Sequence, residues 1–66
     1  MNVNLFKAEL AKNGLSIPAF ADKLEVHKTT VYRWLENPGA IPLEIIQKMK
    51  AVLSISNDDL LQIFFT

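Results

Sequence analysis

The sequence predicts an all-α fold of five short helices, and three observations predict it. Apolar residues recur at spacings of three and four rather than alternating. Between the apolar stretches lie stop and start signals: Asn13-Gly14, Ser16 ahead of Ile17-Pro18, Asn37-Pro38-Gly39, and Ser56 ahead of Asn57-Asp58-Asp59. No segment alternates convincingly as a strand would, although Gln62-Ile63-Phe64-Phe65 is short and apolar enough to be ambiguous.

Helix 1 is expected over about residues 3–12, with Leu5, Phe6, Leu10 and Ala11 on its apolar face. Asn13 and Gly14 end it, because both residue types tolerate the left-handed conformation that closes a helix. Ser16 as N-cap and Pro18 in the first turn open helix 2 at Ile17, and Phe20, Ala21 and Leu24 form its inward stripe. Near Glu25 the stripe changes phase. Val26, Val31, Trp34 and Leu35 fit a new helix over about residues 28–36, which implies a turn at residues 25–27 and carries Trp34 into the core. A restricted pre-proline residue and a glycine in Asn37-Pro38-Gly39 stop helix 3. Pro42 starts helix 4, over about residues 42–53, with Ile45, Ile46, Met49 and Leu53 inward and Lys48 and Lys50 outward. Helix 5 opens with a capping-box variant: Ser56 is the N-cap, Asp59 stands at the third position, and Ile55 and Leu60 are spaced as a hydrophobic staple. Asp58 and Asp59 also suit the positive end of the helix dipole.

Sixty-six residues are expected to form one domain, residues 1–66, since a chain of this size buries only about 60% of its unfolded surface and cannot divide its core. Half of the residues are apolar and 21% are charged, a balance that suits a globular chain and argues against disorder. Cysteine is absent, so neither a disulfide framework nor a thiolate metal site can hold the fold. The N-terminal stretch lacks the basic start and long apolar run of a signal peptide, and no run approaches membrane-spanning length. A cytoplasmic location with no membrane partner is the expectation. Seven Lys and Arg balance seven Asp and Glu. All the basic residues fall within residues 1–53, while Asp58 and Asp59 lie in the tail, so the first four-fifths is mildly basic.

Two short helices joined by a three-residue turn, inside an all-helical chain of this length, are the outline of a helix-turn-helix over about residues 17–36. Helices that cross steeply need a small residue where their axes come closest, and apolar residues before, within and after the turn to fix the angle. Ala21, Val26 and Val31 meet that need.

With these residues in place, positions 14–61 resemble the Cro and lambda-type repressor helix-turn-helix domains of phage and bacterial regulators. The resemblance is carried by Gly14-Leu15-Ser16, Phe20 to Leu24, Val26, Thr29 to Trp34, Pro42 with Leu43 to Leu53, and Ile55 to Leu61. It implies a compact five-helix lambda-repressor-like fold in which helix 3 enters the major groove of double-stranded DNA while helix 2 lies across the backbone. Carried over by position, Lys28 and Thr29 fall where such proteins touch bases, with Arg33 one turn further along and Tyr32 beside them. Lys and Arg suit guanine O6 and N7, and a threonine methyl can meet a thymine methyl. Thr30, Asn37 and Gly39 are assigned to phosphates, and His27 to a cap or a phosphate contact. Some positions depart from the family's pattern. Where the turn often has glycine, this chain has Glu25, which implies strain of about 1 kcal/mol or a different turn. Ile17 replaces a common glutamine and Pro18 removes a backbone donor, so phosphate anchoring at helix 2 is expected to be weak.

The tail holds more apolar groups than a small core hides easily, and homodimerisation through Leu61, Phe64 and Phe65 is expected. The sequence thus points to a repressor that binds a short palindromic operator. The competing reading is a protein-binding modulator, such as an antirepressor acting through another repressor. No nucleophile with a base, phosphate-cradling glycine loop or metal cluster suggests an enzyme or a cofactor.

Overall fold

The computed structural model describes residues 1–65. Five α-helices follow one another as α1 (Val3–Lys12), α2 (Ile17–Leu24), α3 (Lys28–Glu36), α4 (Leu43–Leu53) and α5 (Asn57–Phe64), with a short 3-10 turn at Pro38–Ala40. The all-α architecture is therefore as the sequence predicts.

Local chemistry explains where each helix starts. The Oδ1 of Asn2 accepts from the Leu5 N–H at 3.1 Å, Ser16 Oγ from Ala19 at 3.2 Å, and Ser56 Oγ from Asp59 at 3.1 Å. Each satisfies one of the amide groups that a helix start leaves without an intrahelical partner. Pro42 is the N-cap of α4 rather than its first residue, so that helix begins at Leu43.

Three helices end by one device. At the end of α1, Leu15 N–H donates to the Leu10 carbonyl at 2.9 Å and Gly14 N–H to Ala11 at 3.1 Å. The same pair recurs after α2 (Val26 to Ala21, Glu25 to Asp22, both 3.0 Å) and after α4 (Ile55 to Lys50, Ser54 to Ala51, both 3.3 Å). This Schellman arrangement demands a left-handed residue at its hinge, and Gly14 (φ 65°), Glu25 (φ 61°) and Ser54 (φ 54°) supply it. The apolar residue that follows each hinge then turns back onto the core: Leu15 and Val26 half-buried, Ile55 buried.

Glu25 therefore keeps the family's turn and accepts its strain. A left-handed non-glycine residue costs about 1–2 kcal/mol, and glycine's greater chain entropy returns about 0.5–1 kcal/mol of that. Glu25→Gly should stabilise the domain by roughly 0.5–1 kcal/mol and raise the thermal midpoint by about 2–8 °C. A midpoint that stays put or falls in a thermal melt would show that the turn is relaxed by other means.

The helices share one core. Phe6, Phe20, Leu24, Val31, Met49, Leu53 and Ile63 are almost wholly shielded from solvent, and no polar or charged side chain is buried among the described residues. Phe6 sits between two rings, edge-on to Phe20 at 5.4 Å and to Phe64 at 6.2 Å. Two polar ties close the outside of this core. Asn2 N–H donates to the Ile63 carbonyl at 2.7 Å, joining the two ends of the helical array. The Asn13 amide donates to the carbonyls of Glu9 at 2.9 Å and Leu53 at 3.2 Å, so one side chain serves the C-terminal ends of both α1 and α4.

Burial corrects parts of the sequence-based pattern. Leu5 and Ala11, expected on the inner face of α1, are exposed; only Phe6 and Leu10 of that set point inward. Ile45 is half-buried, while Ile41, just ahead of α4, joins the core. The ambiguous tail is helical through Phe64, with Phe65 as the C-cap, and its two phenylalanines part company. Phe64 is 8% exposed and packs on Phe6, so it belongs to the core of its own chain and offers no surface for a second copy.

Candidate nucleic-acid interface

The geometry that matters is the joint between α2 and α3. Helix α2 packs against both α3 and α4, and Ala21 at 1% exposure lets the α2 backbone approach them closely. Beyond the Glu25 hinge, Val26 is half-buried, and Val31 and Trp34 on the inner side of α3 are buried. These three apolar residues fix which side of α3 faces out.

The outward side is continuous. Lys28, Thr29, Tyr32, Arg33 and Glu36 are all exposed, and their spacings of one, three, one and three residues trace a single stripe along the helix. Tyr32 is 47% exposed, so its ring lies on this surface and not in the core. Thr30 is half-buried at the stripe's edge, and Asn37 and Gly39 are exposed beyond the end of the helix. The structure thus brings Lys28, Thr29, Tyr32 and Arg33 onto one face, with Thr30 and Asn37 flanking it.

His27 begins α3. Its Nδ1 accepts from the Thr29 N–H at 3.2 Å and lies 2.8 Å from Thr29 Oγ1. The ring thus caps the helix.

Two acidic residues border this face: Asp22, on which the sequence alone drew no comment, and Glu25, read there only as a turn residue. Asp22 and Glu25, one turn apart at the end of α2, line a hollow of about 390 Å³ with Pro18, Val26, His27 and Lys28. Their i, i+3 spacing put both on one edge of α2, a signal present in the sequence. Over residues 17–36, Lys23, Lys28 and Arg33 balance Asp22, Glu25 and Glu36, so the α2–α3 unit has no net charge. Among the described residues, no group of three His, Asp or Glu side chains comes together to hold a metal ion.

At the far end of the fold, Leu61 (53% exposed) and Phe65 (58% exposed) lie on the outside of the α5 region, unlike Phe64. Phe65 also lines a groove of about 520 Å³ between α4 and α5, with Leu43, Ile46 and Leu60. Lys50 donates to Asn57 Oδ1 across that groove.

Residues 6–60 match a family model described as helix-turn-helix, which takes in both helices of the α2–α3 joint and most of the core that holds it. The chain belongs to the helix-turn-helix family of Cro and lambda-type repressors. No curated protein and no solved structure matches it. Membership of this family places the chain among DNA-binding transcriptional regulators, a class typically without enzymatic activity. The match stops short of Leu61 and Phe65. No helix of the described residues is long and apolar enough to cross a membrane.

Proposed function

We propose that the chain is a Cro-like repressor that reads a short operator through α3, with residues 1–66 acting as one DNA-binding domain. The observation that carries this reading is the stripe of Lys28, Thr29, Tyr32 and Arg33, turned outward because Val31 and Trp34 are buried behind it. A nine-residue helix is about 13 Å long and roughly 10–12 Å across with its side chains, a fit to a major groove about 12 Å wide. In this docking Lys28, Thr29 and Arg33 meet base edges, Tyr32 lies beside them, and His27, Thr30 and Asn37 reach phosphates. Repression follows from occupancy: a bound domain blocks polymerase from the same stretch of DNA.

Two copies pairing through Leu61 and Phe65 complete the proposal. These residues stand four apart on one side of the α5 end, and their exposure supports pairing there. A two-fold pair matches a palindromic site with half-sites about one helical turn apart. Sedimentation at micromolar concentration should give dimer mass, and material of monomer mass alone would defeat the pairing.

Selection from a random DNA pool tests the whole reading. It should enrich a palindrome with half-sites about 10 bp apart. A pool that stays unenriched would defeat it.

One observation favours a second reading, a modulator that acts through another repressor: the α2–α3 unit carries no net charge with which to displace counterions from phosphates. Salt separates the two. Specific DNA binding should weaken steeply between about 50 and 200 mM salt, whereas an apolar contact with a partner protein should resist the change. Recovery of a repressor in pull-down, without any DNA shift by the chain alone, would favour the modulator.

A further inference from the structure

The contact between His27 and Thr29 fixes more than a helix start. A free threonine hydroxyl rotates to donate or accept as its partner requires. Here that freedom is removed. The Thr29 backbone N–H donates to His27 Nδ1 at 3.2 Å, so Nδ1 presents its lone pair and carries no proton. The neutral ring must then hold its proton on Nε2. Thr29 Oγ1 lies 2.8 Å from the same Nδ1. With no proton on the nitrogen, this contact is a hydrogen bond only if the hydroxyl donates it. One long backbone bond and one short hydroxyl bond are what a shared lone pair gives. The single hydroxyl proton of Thr29 is therefore committed inward, and its remaining lone pairs face solvent beside Lys28.

We infer that His27 acts as a positioning residue that makes Thr29 an acceptor only, so that Thr29 selects an exocyclic amine in the major groove, adenine N6 or cytosine N4. The inference rests on the DNA-binding reading above and deepens it. Without the histidine, Thr29 could equally donate to guanine O6, thymine O4 or a purine N7. With it, the keto oxygens and N7 atoms are left to the cationic donors of the stripe, Lys28 and Arg33. Asp22, Glu25 and Lys28 are the charged groups that border the hollow holding His27.

The test has one arm without DNA and one with it. In the free protein at pH 8, long-range proton–nitrogen correlation spectra of the His27 ring should show the proton on Nε2; a proton on Nδ1 would overturn the inference. For the second arm, the operator is taken from random-pool selection, and the base pair read by Thr29 is the one whose preference Thr29→Val erases. In complexes of the unaltered protein, purine in place of adenine, or 2-pyrimidinone in place of cytosine, removes only the amine at that pair and should weaken binding about tenfold. A 7-deaza purine at the same pair should leave affinity unchanged. In Thr29→Val the amine substitution should cost nothing further. His27→Gly keeps a serviceable N-cap and frees the hydroxyl to rotate, so the amine penalty should shrink as Thr29 gains the option of donating to N7 or a keto oxygen instead. A penalty that follows N7 rather than the amine, or an operator with no pair sensitive to Thr29→Val, overturns this inference alone. A pool with no enriched motif overturns the DNA-binding reading, and this inference falls with it.

Discussion

Phe6→Ala should leave the domain unfolded at room temperature. Phe6 is 1% exposed and lies between Phe20 and Phe64, so its loss removes two edge-on ring contacts and opens a cavity that three helices line. Truncating a buried phenylalanine to alanine costs about 3–5 kcal/mol. A core of this size supplies only about 3–5 kcal/mol of net stability, with no disulfide or metal to add to it. The cost thus matches or exceeds the whole margin. Phe6→Leu keeps most of the volume and should stay folded, with a cooperative melt at a lower midpoint. A Phe6→Ala variant melting cooperatively within a few degrees of the unaltered chain would show that the α1–α2–α5 contact is not the centre of the fold. The same cavity would loosen α5, because Phe64 packs on Phe6, and would bare the apolar tail to aggregation.

The fold was legible in the sequence wherever a local rule had one physical solution. Ser16 and Ser56 cap their helices as expected, because a hydroxyl ahead of an apolar stripe has unpaired amides to satisfy. The phase change between Leu24 and Val31 announced the turn at residues 25–27, since no single helix could bury both stripes. What the sequence left open was settled by tertiary context. Phe64 and Phe65 are identical and adjacent, so composition could not divide them, yet a helix sends neighbours about 100° apart and only one meets Phe6. Leu5 and Ala11 fit a helical period but sit at the margin of an apolar arc that this core is too small to cover. Ser54, with no special propensity to signal it, became left-handed because Ile55 must turn back onto the core.

For the candidate site, the outward face of α3 followed directly from its inward one. Once Val31 and Trp34 were assigned inside, Lys28, Thr29, Tyr32 and Arg33 had no other side to occupy. Two things lay beyond that pattern. The hydrogen bond between His27 and Thr29 spans two residues and depends on the N-cap conformation, which residue order alone does not specify. The acidic edge of Asp22 and Glu25 comes to lie beside Lys28 only because Glu25 adopts φ 61° and swings α3 back across α2. Such charges oppose phosphate attraction. In the proposed docking, binding free energy would therefore come in larger share from base edges than in a strongly basic domain.

That shift in balance gives the largest functional effect to the two cations of the stripe. Lys28→Ala and Arg33→Ala should each weaken operator binding by about 1–3 kcal/mol, roughly 5- to 150-fold, and together bring it close to binding of unrelated DNA. Both side chains are exposed, so either change should move stability by no more than about 0.5 kcal/mol and leave the helical spectrum intact. The two effects are distinguishable in kind. Arg33 lies one turn beyond Thr29, where a planar fork can bond guanine O6 and N7 together, so Arg33→Lys should recover little of the affinity. A lysine acts as a point charge, so Lys28→Arg should recover most of it if Lys28 meets a phosphate and less if it meets a base. Titration of a fluorescent operator at several salt concentrations separates these cases. Removing a phosphate contact lowers the salt slope by about 1 and weakens all sequences alike, while removing a base contact relaxes preference at one position. Operator affinity that survives both alanine variants would remove α3 as the reading surface, because no other exposed cation lies on its outward stripe.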